Sequence, residues 1–329
     1  MSGEVRRPGE FELIGRFLRP LADDPAAFGL TDDAASFTPP PGHDLVLTKD
    51  MVAAGIHFFA DDPPASIARK ALRVNLSDLA AKGAEPIGYL LGLALPSDWT
   101  VEWMEAFSAA LGEDQARYGI ALLGGDTVRA PGGLTLSITA IGKVPTGRMV
   151  RRSGARGGDL LVVTGTIGDA ALGLRLRLGT IAPPAEGADH LLDRYLHPQP
   201  RTVLAAAIGR HTHAALDISD GLMGDLAHMT RASGLSAEID ATSVPLSAAA
   251  RELVRRDDTA LTSVLTGGDD YEILASVPPA RFDAFKDEAR EANIPLTVIG
   301  RIVEGMDAPR AIDGAGRSIS MGRASHDHF

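Results

Sequence analysis

Residues 70–86 read KALRVNLSDLAAKGAEP, and this stretch sets what the surrounding chain must be. Leu72, Leu76, Leu79 and Ala80 recur at helical spacing, Pro64 stands shortly before them and Gly83 just after, so the spacing predicts a helix over 64–83. Asn75 and Asp78, three apart, project together from its polar edge. Upstream, the turn-prone Pro39-Pro40-Pro41-Gly42 leads into a strand over 44–48, and downstream 87–95 reads as a buried strand. The pattern continues with a helix over 101–118 and strands over 120–123 and 134–141. Nearer the start, 10–21 reads as a short amphipathic helix with Phe11, Ile14, Phe17, Leu18 and Leu21 on one side.

Residues 144–158 hold Pro145, Gly147, Gly154, Gly157 and Gly158 with Arg148, Arg151, Arg152 and Arg156 between them. This composition marks a boundary that separates a domain over 1–147 from one over 148–329. In the second part, strands are expected over 160–164, 214–218, 271–277 and 296–302. Helices are expected over 169–178, 201–210, 222–232 and 279–292, with a loop over 179–187. Strands and helices mixed in both halves indicate α/β or α+β layers.

Of 329 residues, 32 are Lys or Arg and 43 are Asp or Glu, a net charge of −11. Nucleic acid and anionic membrane both require a basic face, so neither is an expected partner. The chain has no cysteine, which excludes disulfides, thiolate catalysis and Cys-ligated metals. No apolar run is long enough for a membrane span, and the expected location is cytoplasmic.

Aspartates recur beside glycine or small polar residues at expected element ends: Asp32-Asp33, Thr48-Lys49-Asp50, Asn75 to Asp78, Gly124-Gly125-Asp126, Asp217 to Gly221, and Gly267 to Glu272. Short carboxylates converging from several strand ends repel one another, and bound cations relieve that repulsion. Hard oxygen donors select magnesium or manganese. Each segment also has a plainer reading. Asp78 could be a solvated helix residue, Gly124-Gly125 a turn closing a strand, and Ser219 or Asp220 the N-cap of the next helix. His57, in Ala54-Gly55-Ile56-His57-Phe58-Phe59, reads as packed and hydrogen-bonded. The arginines at 148–156 are either a solvated boundary or guanidinium partners for phosphate oxygens. There is no G-x-x-x-x-G-K-[ST], no G-x-G-x-x-G, no G-x-S-x-G and no H-E-x-x-H.

Taken in order, GEFELIGR, DDAA, LTKDMVAAGIHF, KALRVNLSDLAAKGAEP, GGDT, TGRMVRRSGARGGD, VTGTIGDAALG, DISDGLMGDL, GGDDYE and the terminal DHF resemble the thiamine-monophosphate kinase family from Gly9 to Phe329. The resemblance implies the two-domain fold of the aminoimidazole ribonucleotide synthetase superfamily. N-terminal strands of two subunits would then form a shared barrel in a homodimer, with ATP in a cleft. It implies ATP-dependent, in-line phosphorylation of thiamine monophosphate to thiamine diphosphate, with several Mg2+ ions per site and no catalytic base. By motif, Asp33, Thr48, Lys49, Asp50, Asp78, Asp126, Asp217 and Asp220 match metal positions. Gly125, Asp126, Arg152 and Ser219 match ATP contacts, and His57, Asp269 and His326 match substrate contacts. A sister synthetase of the superfamily and a non-catalytic nucleotide- or metal-binding protein are the competing readings.

Four positions depart from the family pattern. Thr31 stands where a glycine is usual, Lys49 where threonine is common, Asp269 for a glutamate and His326 for a ring-stacking aromatic. At Lys49 only the backbone carbonyl is expected to serve a metal.

Overall fold

The computed structural model describes residues 7–320. The chain divides into two compact units, one of residues 1–79 and 85–146, the other of 80–84 and 147–329.

Unit 1 opens with helical turns, α1 (Glu10–Leu13) running on through a π-helical turn and a 3-10 turn to Leu21. A 3-10 segment at Pro25–Leu30 follows. The π turn shifts the phase of the expected amphipathic face. Leu13, Phe17 and Leu18 are buried, while Phe11 is left exposed. Next come β1 (His43–Ala53), α2 (Pro64–Ala81), β2 (Glu85–Leu95), α3 (Val101–Tyr118), β3 (Ala121–Arg129) and β4 (Thr135–Pro145). Thr100 caps α3, accepting from Trp103 N at 3.1 Å, and Gly119 ends it at φ 64°.

The sheet order is β1-β4-β2-β3, antiparallel except for the parallel β2–β3 pair. Its two faces differ. In β1, Val46 and Val52 are buried, whereas Leu47, Lys49 and Met51 are exposed. On the buried side, α2 is tied to α3 by Arg73, whose Nε and Nη2 donate to the Asp114 carboxylate at 2.7 Å each.

The expected turn at Gly124-Gly125-Asp126 is not a turn. These residues lie inside β3, with Gly125 opposite Leu91 and Asp126 opposite Gly92. Glycine is required at 125 by a close approach, since a Cβ there would sit 1.9 Å from the Leu91 carbonyl oxygen.

Unit 2 contains β5 (Leu160–Thr164), α4 (Asp169–Arg177), α5 (Ala188–Leu196), α6 (Ala205–His211), β6 (Ala214–Asp217), α7 (Leu222–Ser233) and β7 (Ser236–Asp240). These are followed by α8 (Ala248–Arg256), α9 (Asp258–Thr266), β8 (Ile273–Val277), α10 (Pro279–Glu291), β9 (Leu296–Val303) and β10 (Arg310–Ile312). Its sheet runs β10-β7-β9-β5-β8-β6. Leu161 and Val163 pack with Leu216, Leu222 and Leu226 on one face. Val162 packs with Ala215, Ile273 and Phe285 on the other. A sheet covered on both sides needs apolar residues at every position of a central strand, which is why 160–164 is a continuous apolar run.

Candidate active site

In unit 1, three of the expected residues meet where α2 runs beside β1. The Thr48 hydroxyl donates to Asp78 Oδ2. One residue pair along, Asn75 Oδ1 accepts from the Asp50 backbone N–H at 3.1 Å, and Asn75 Nδ2 donates to the Ala71 carbonyl at 3.1 Å. β1 is an edge strand, so alternate backbone N–H groups point away from the sheet, and the fully buried Asn75 satisfies one of them. The i, i+3 spacing of Asn75 and Asp78 delivers both side chains to this edge. The result is a half-buried hydroxyl and two carboxylates at positions 48, 50 and 78, fixed by an asparagine that has no charge of its own.

Lys49 points elsewhere. Strand alternation carries it to the opposite face, where its Nζ donates to Ser137 Oγ at 2.7 Å. Asp126 shares a ladder row with Met51 through Gly92 and Ser137, on that same face. It is three strands from β1, about 14 Å at ordinary strand spacing. Asp33 is exposed in the loop after the 3-10 segment, its N–H donating to Asp32 Oδ1 at 2.7 Å. Thr31 has φ −108°, a value open to any residue, so the missing family glycine imposes no strain there. His57 Nδ1 accepts from Ala53 N at 3.1 Å, closing the turn after β1, as its packed reading expected.

In unit 2, Asp217 ends β6, and residues 218–221 lead into α7. The expected cap at Ser219 or Asp220 is absent. The cap position belongs to Gly221 at φ 111°, and no side chain caps the helix. Instead Asp225, from the first turn of α7, reaches back, and its Oδ2 accepts from the N–H groups of Ser219 and Asp220 at 3.0 Å each. Beside this loop runs 267–272. Asp269 N donates to Ser219 O at 2.9 Å and Tyr271 N to Ile218 O at 2.8 Å. The approach is so close that a Cβ on Gly268 would lie 2.1 Å from Ser219 O. Ser219, Asp220 and Asp269 are therefore gathered on two adjoining loops.

Burial pushes the Asp225 carboxyl up to about 7 from an ordinary 3.8. The N–H groups of Asp220 and Ser219 and the Arg152 guanidinium pull it down, and the Asp220 charge pushes it up. A folded-state pKa above the unfolded one means that the contribution to stability is complete below about pH 4 and is lost as pH rises through 7. A shift of about three pKa units corresponds to about 4 kcal/mol. In Asp225→Asn the amide oxygen still accepts both N–H bonds but does not ionise. In metal-free buffer, its stability relative to the parent is expected to improve by up to about 4 kcal/mol between pH 4 and pH 8. Urea unfolding at several pH values checks this, and a constant difference across that range overturns it.

Residues 31–144 match the N-terminal domain of AIR synthase related proteins, and residues 156–308 match their C-terminal domain. The chain is 45% identical over 302 residues to thiamine-monophosphate kinase of Caulobacter vibrioides, covering 91% of this chain and 85% of the relative. It is 38% identical over 324 residues to that of Escherichia coli K12, covering 98% of each. The chain belongs to the thiamine-monophosphate kinase family. The crystal structure of the family member from Stenotrophomonas maltophilia superposes with a TM-score of 0.84 at 40% identity, over 94% of this chain and 98% of the other. A solved complex of AaThiL with AMPPCP and TMP superposes at 0.78 with 29% identity, over 99% of this chain and all of that one. Escherichia coli HypE, at 21% identity and a TM-score of 0.74, shares the fold.

The kinase-family motifs thus fall into two groups. Thr48, Asp50 and Asp78 assemble around α2, and Ser219, Asp220 and Asp269 assemble beside the end of β6 that bears Asp217. Arg152 lies within electrostatic reach of Asp225, which holds the Ser219–Asp220 loop. Lys49, Gly125 and Asp126 do not join the Asp50–Asp78 group, because alternation and register place them on another face or another strand. His326 lies outside the described residues. Sequence reasoning missed Asp225, whose reach of six residues back to Ser219 is longer than the three-residue spacing of a capping box.

Proposed function

We propose that this chain transfers the terminal phosphoryl group of ATP to the phosphate of thiamine monophosphate, giving ADP and thiamine diphosphate. One observation carries the reading. Identity to the Escherichia coli kinase extends over 98% of both chains, so the site segments of both units fall inside the match.

The chemistry of the residues agrees with it. The acceptor is a phosphate oxygen, already ionised at neutral pH, so no base is required. What is required is alignment of two polyanions and screening of their charge. The Thr48 hydroxyl and the Asp78 carboxylate, with Asp50 two residues along the same face of β1, offer oxygen donors of the kind magnesium takes. Among the described residues, no three His, Asp or Glu side chains gather closely enough to enclose a cation. Thr48, Asp50 and Asp78 would hold magnesium, which would supply charge neutralisation to the phosphates. Asn75 holds β1 and α2 in register so that Asp50 and Asp78 keep their separation. The Ser219–Asp220 loop and Asp269 present a hydroxyl and two carboxylates on the other unit. Asp33, Asp126, Asp217 and the Lys49 carbonyl complete the assigned metal positions, Gly125 and Arg152 those for ATP, and His57 and His326 those for the acceptor.

In this reading residues 1–147 bind nucleotide and metal and pair with a second copy, while residues 148–329 form the partner α/β domain. Pairing is supported by the open face of the unit 1 sheet, where Leu47, Met51, Leu90 and Val128 are exposed together on strands of one sheet. Among the described residues no helix is long and apolar enough to cross a membrane, which is consistent with a cytoplasmic enzyme.

The test is direct. The purified chain with ATP, Mg2+ and thiamine monophosphate is expected to form thiamine diphosphate and ADP in equal amounts, and chelation of the metal is expected to abolish both. ATP consumption without thiamine diphosphate, or product formation unaffected by chelation, overturns the reading.

A further inference from the structure

The segment 267–272 contains two non-glycine residues in the left-handed region, Asp269 at φ 70° and Tyr271 at φ 50°. Such conformations cost about 1–2 kcal/mol each in an L-residue, more comfortably met by aspartate than by tyrosine. They persist only where the surroundings leave no alternative. The twisting backbone alternates the side chains, with Asp270 and Glu272 fully buried while Asp269 and Tyr271 remain half-exposed.

The buried pair is where the segment is held. The Asp270 carboxylate accepts from Gly168 N, with contacts of 2.8 and 3.0 Å. Glu272 is surrounded by donors. Arg194 Nη2 donates to Oε1 at 2.8 Å, Arg201 Nε donates to Oε2 at 2.7 Å, Arg201 Nη2 donates to Oε1, and the Thr164 hydroxyl donates to Oε2 at 2.6 Å. Arg194 Nη2 also reaches the Asp270 carbonyl at 3.3 Å. Two guanidinium groups seven residues apart therefore converge on one carboxylate of this hexapeptide, and one of them also reaches a carbonyl. A carboxylate with all its lone pairs engaged at nearly full burial resists rotation far more than a surface ion pair does.

We infer that Arg194, Arg201 and Glu272 are positioning residues that lock 269–271 in its left-handed path and so aim the Asp269 carboxylate at the acceptor substrate. This rests on the reading that Asp269 meets thiamine monophosphate. The three residues touch no substrate themselves. Their effect is transmitted through one carboxylate, so it falls on acceptor affinity and leaves nucleotide affinity alone.

The experiment uses the full-length enzyme and four variants: Arg201→Lys, Arg194→Lys, Asp269→Asn and the double variant Arg201→Lys/Asp269→Asn. Lysine keeps the charge and removes the two-pronged contact. Arg201→Lys is expected to raise KM for thiamine monophosphate about tenfold, with KM for ATP within twofold of the parent. Should that variant fold poorly, Arg194→Lys carries the same expectation. Asp269→Asn is expected to raise the same KM, and the double variant to be no worse than Asp269→Asn alone, because both act through one carboxylate. A structural role alone would lower the melting midpoint, shift both KM values together and add to Asp269→Asn. That pattern, or an unchanged acceptor KM in both arginine variants while Asp269→Asn raises it, overturns the positioning role. An active Asp269→Asn enzyme with unchanged acceptor KM overturns the substrate contact on which the inference stands.

Discussion

Asp78→Asn is expected to lower turnover by about 10²–10³-fold, the size of effect found when one preorganised electrostatic contact to a transition state is deleted. The substitution is nearly isosteric. The amide oxygen still accepts the Thr48 hydroxyl, so the link between α2 and β1 survives. What disappears is one negative charge, and phosphoryl transfer between two polyanions depends on charge placement more than on shape. Stability is therefore expected to change by less than about 1 kcal/mol, within the range of a replacement that leaves no buried group unpaired. Steady-state rates at saturating substrates, set against urea unfolding of the same preparation, separate the two effects. If the activity lost matches the folded fraction lost, Asp78 is a structural residue and the magnesium assignment loses its centre. Asp126→Asn bears on another of the assigned carboxylates of unit 1. Asp126 is exposed on β3, so the same comparison there is free of any packing contribution.

The separation of Asp78 from the rest of α2 was legible because helix geometry is local. Spacing alone puts Asn75 and Asp78 on one edge and Leu72, Leu76 and Leu79 on another, and the structure agrees. α3 was likewise legible to the residue, since Thr100 and Gly119 mark its ends with side-chain and backbone chemistry that neighbours do not alter. The Gly124-Gly125 pair misled for the opposite reason. Glycine signals a turn locally, but here it answers a partner strand whose Leu91 carbonyl leaves no room for a Cβ, and pairing across 34 residues has no local signature. The cap reading at Ser219 failed similarly, because the groups it should have satisfied are served from Asp225. α5, α8, α9, β7 and β10 went unread. α5 and α7 both start at a glycine with positive φ and no side-chain cap, but α5 has nine residues to the twelve of α7 and so shows fewer turns of helical spacing. Of GGDDYE the sequence offered Asp269 as the functional residue and gave no reason to single out Glu272, whose two arginines lie more than 70 residues away.

The largest loss of stability is expected at Arg73→Met. Arg73 and Asp114 are 4% and 1% exposed, and the two-pronged contact between them is a buried ion pair joining α2 to α3, where the second pair, Arg69–Glu113, is far more exposed. Replacing such a pair wholesale is often neutral, but removing one partner strands the other charge and costs about 3–5 kcal/mol. Asp114 has little to turn to. Among the described residues the Tyr89 hydroxyl is buried without a hydrogen-bond partner, and its pKa is pushed far above the ordinary value by burial first and by the Asp114 charge second. That hydroxyl stays protonated, but it sits on β2 and cannot replace two guanidinium prongs. Methionine keeps much of the arginine stem's volume, so the loss reports charge and not a cavity. The double variant Arg73→Met/Asp114→Leu removes the stranded carboxylate and is expected to recover most of the loss. Urea unfolding of parent, single and double variants decides the matter. A single-variant loss below about 1 kcal/mol, or a double variant no more stable than the single, would show that α2 is held by packing alone. In that case the Thr48–Asp78 and Asp50–Asn75 contacts would owe their register to the leucine face of α2 and not to this charge pair.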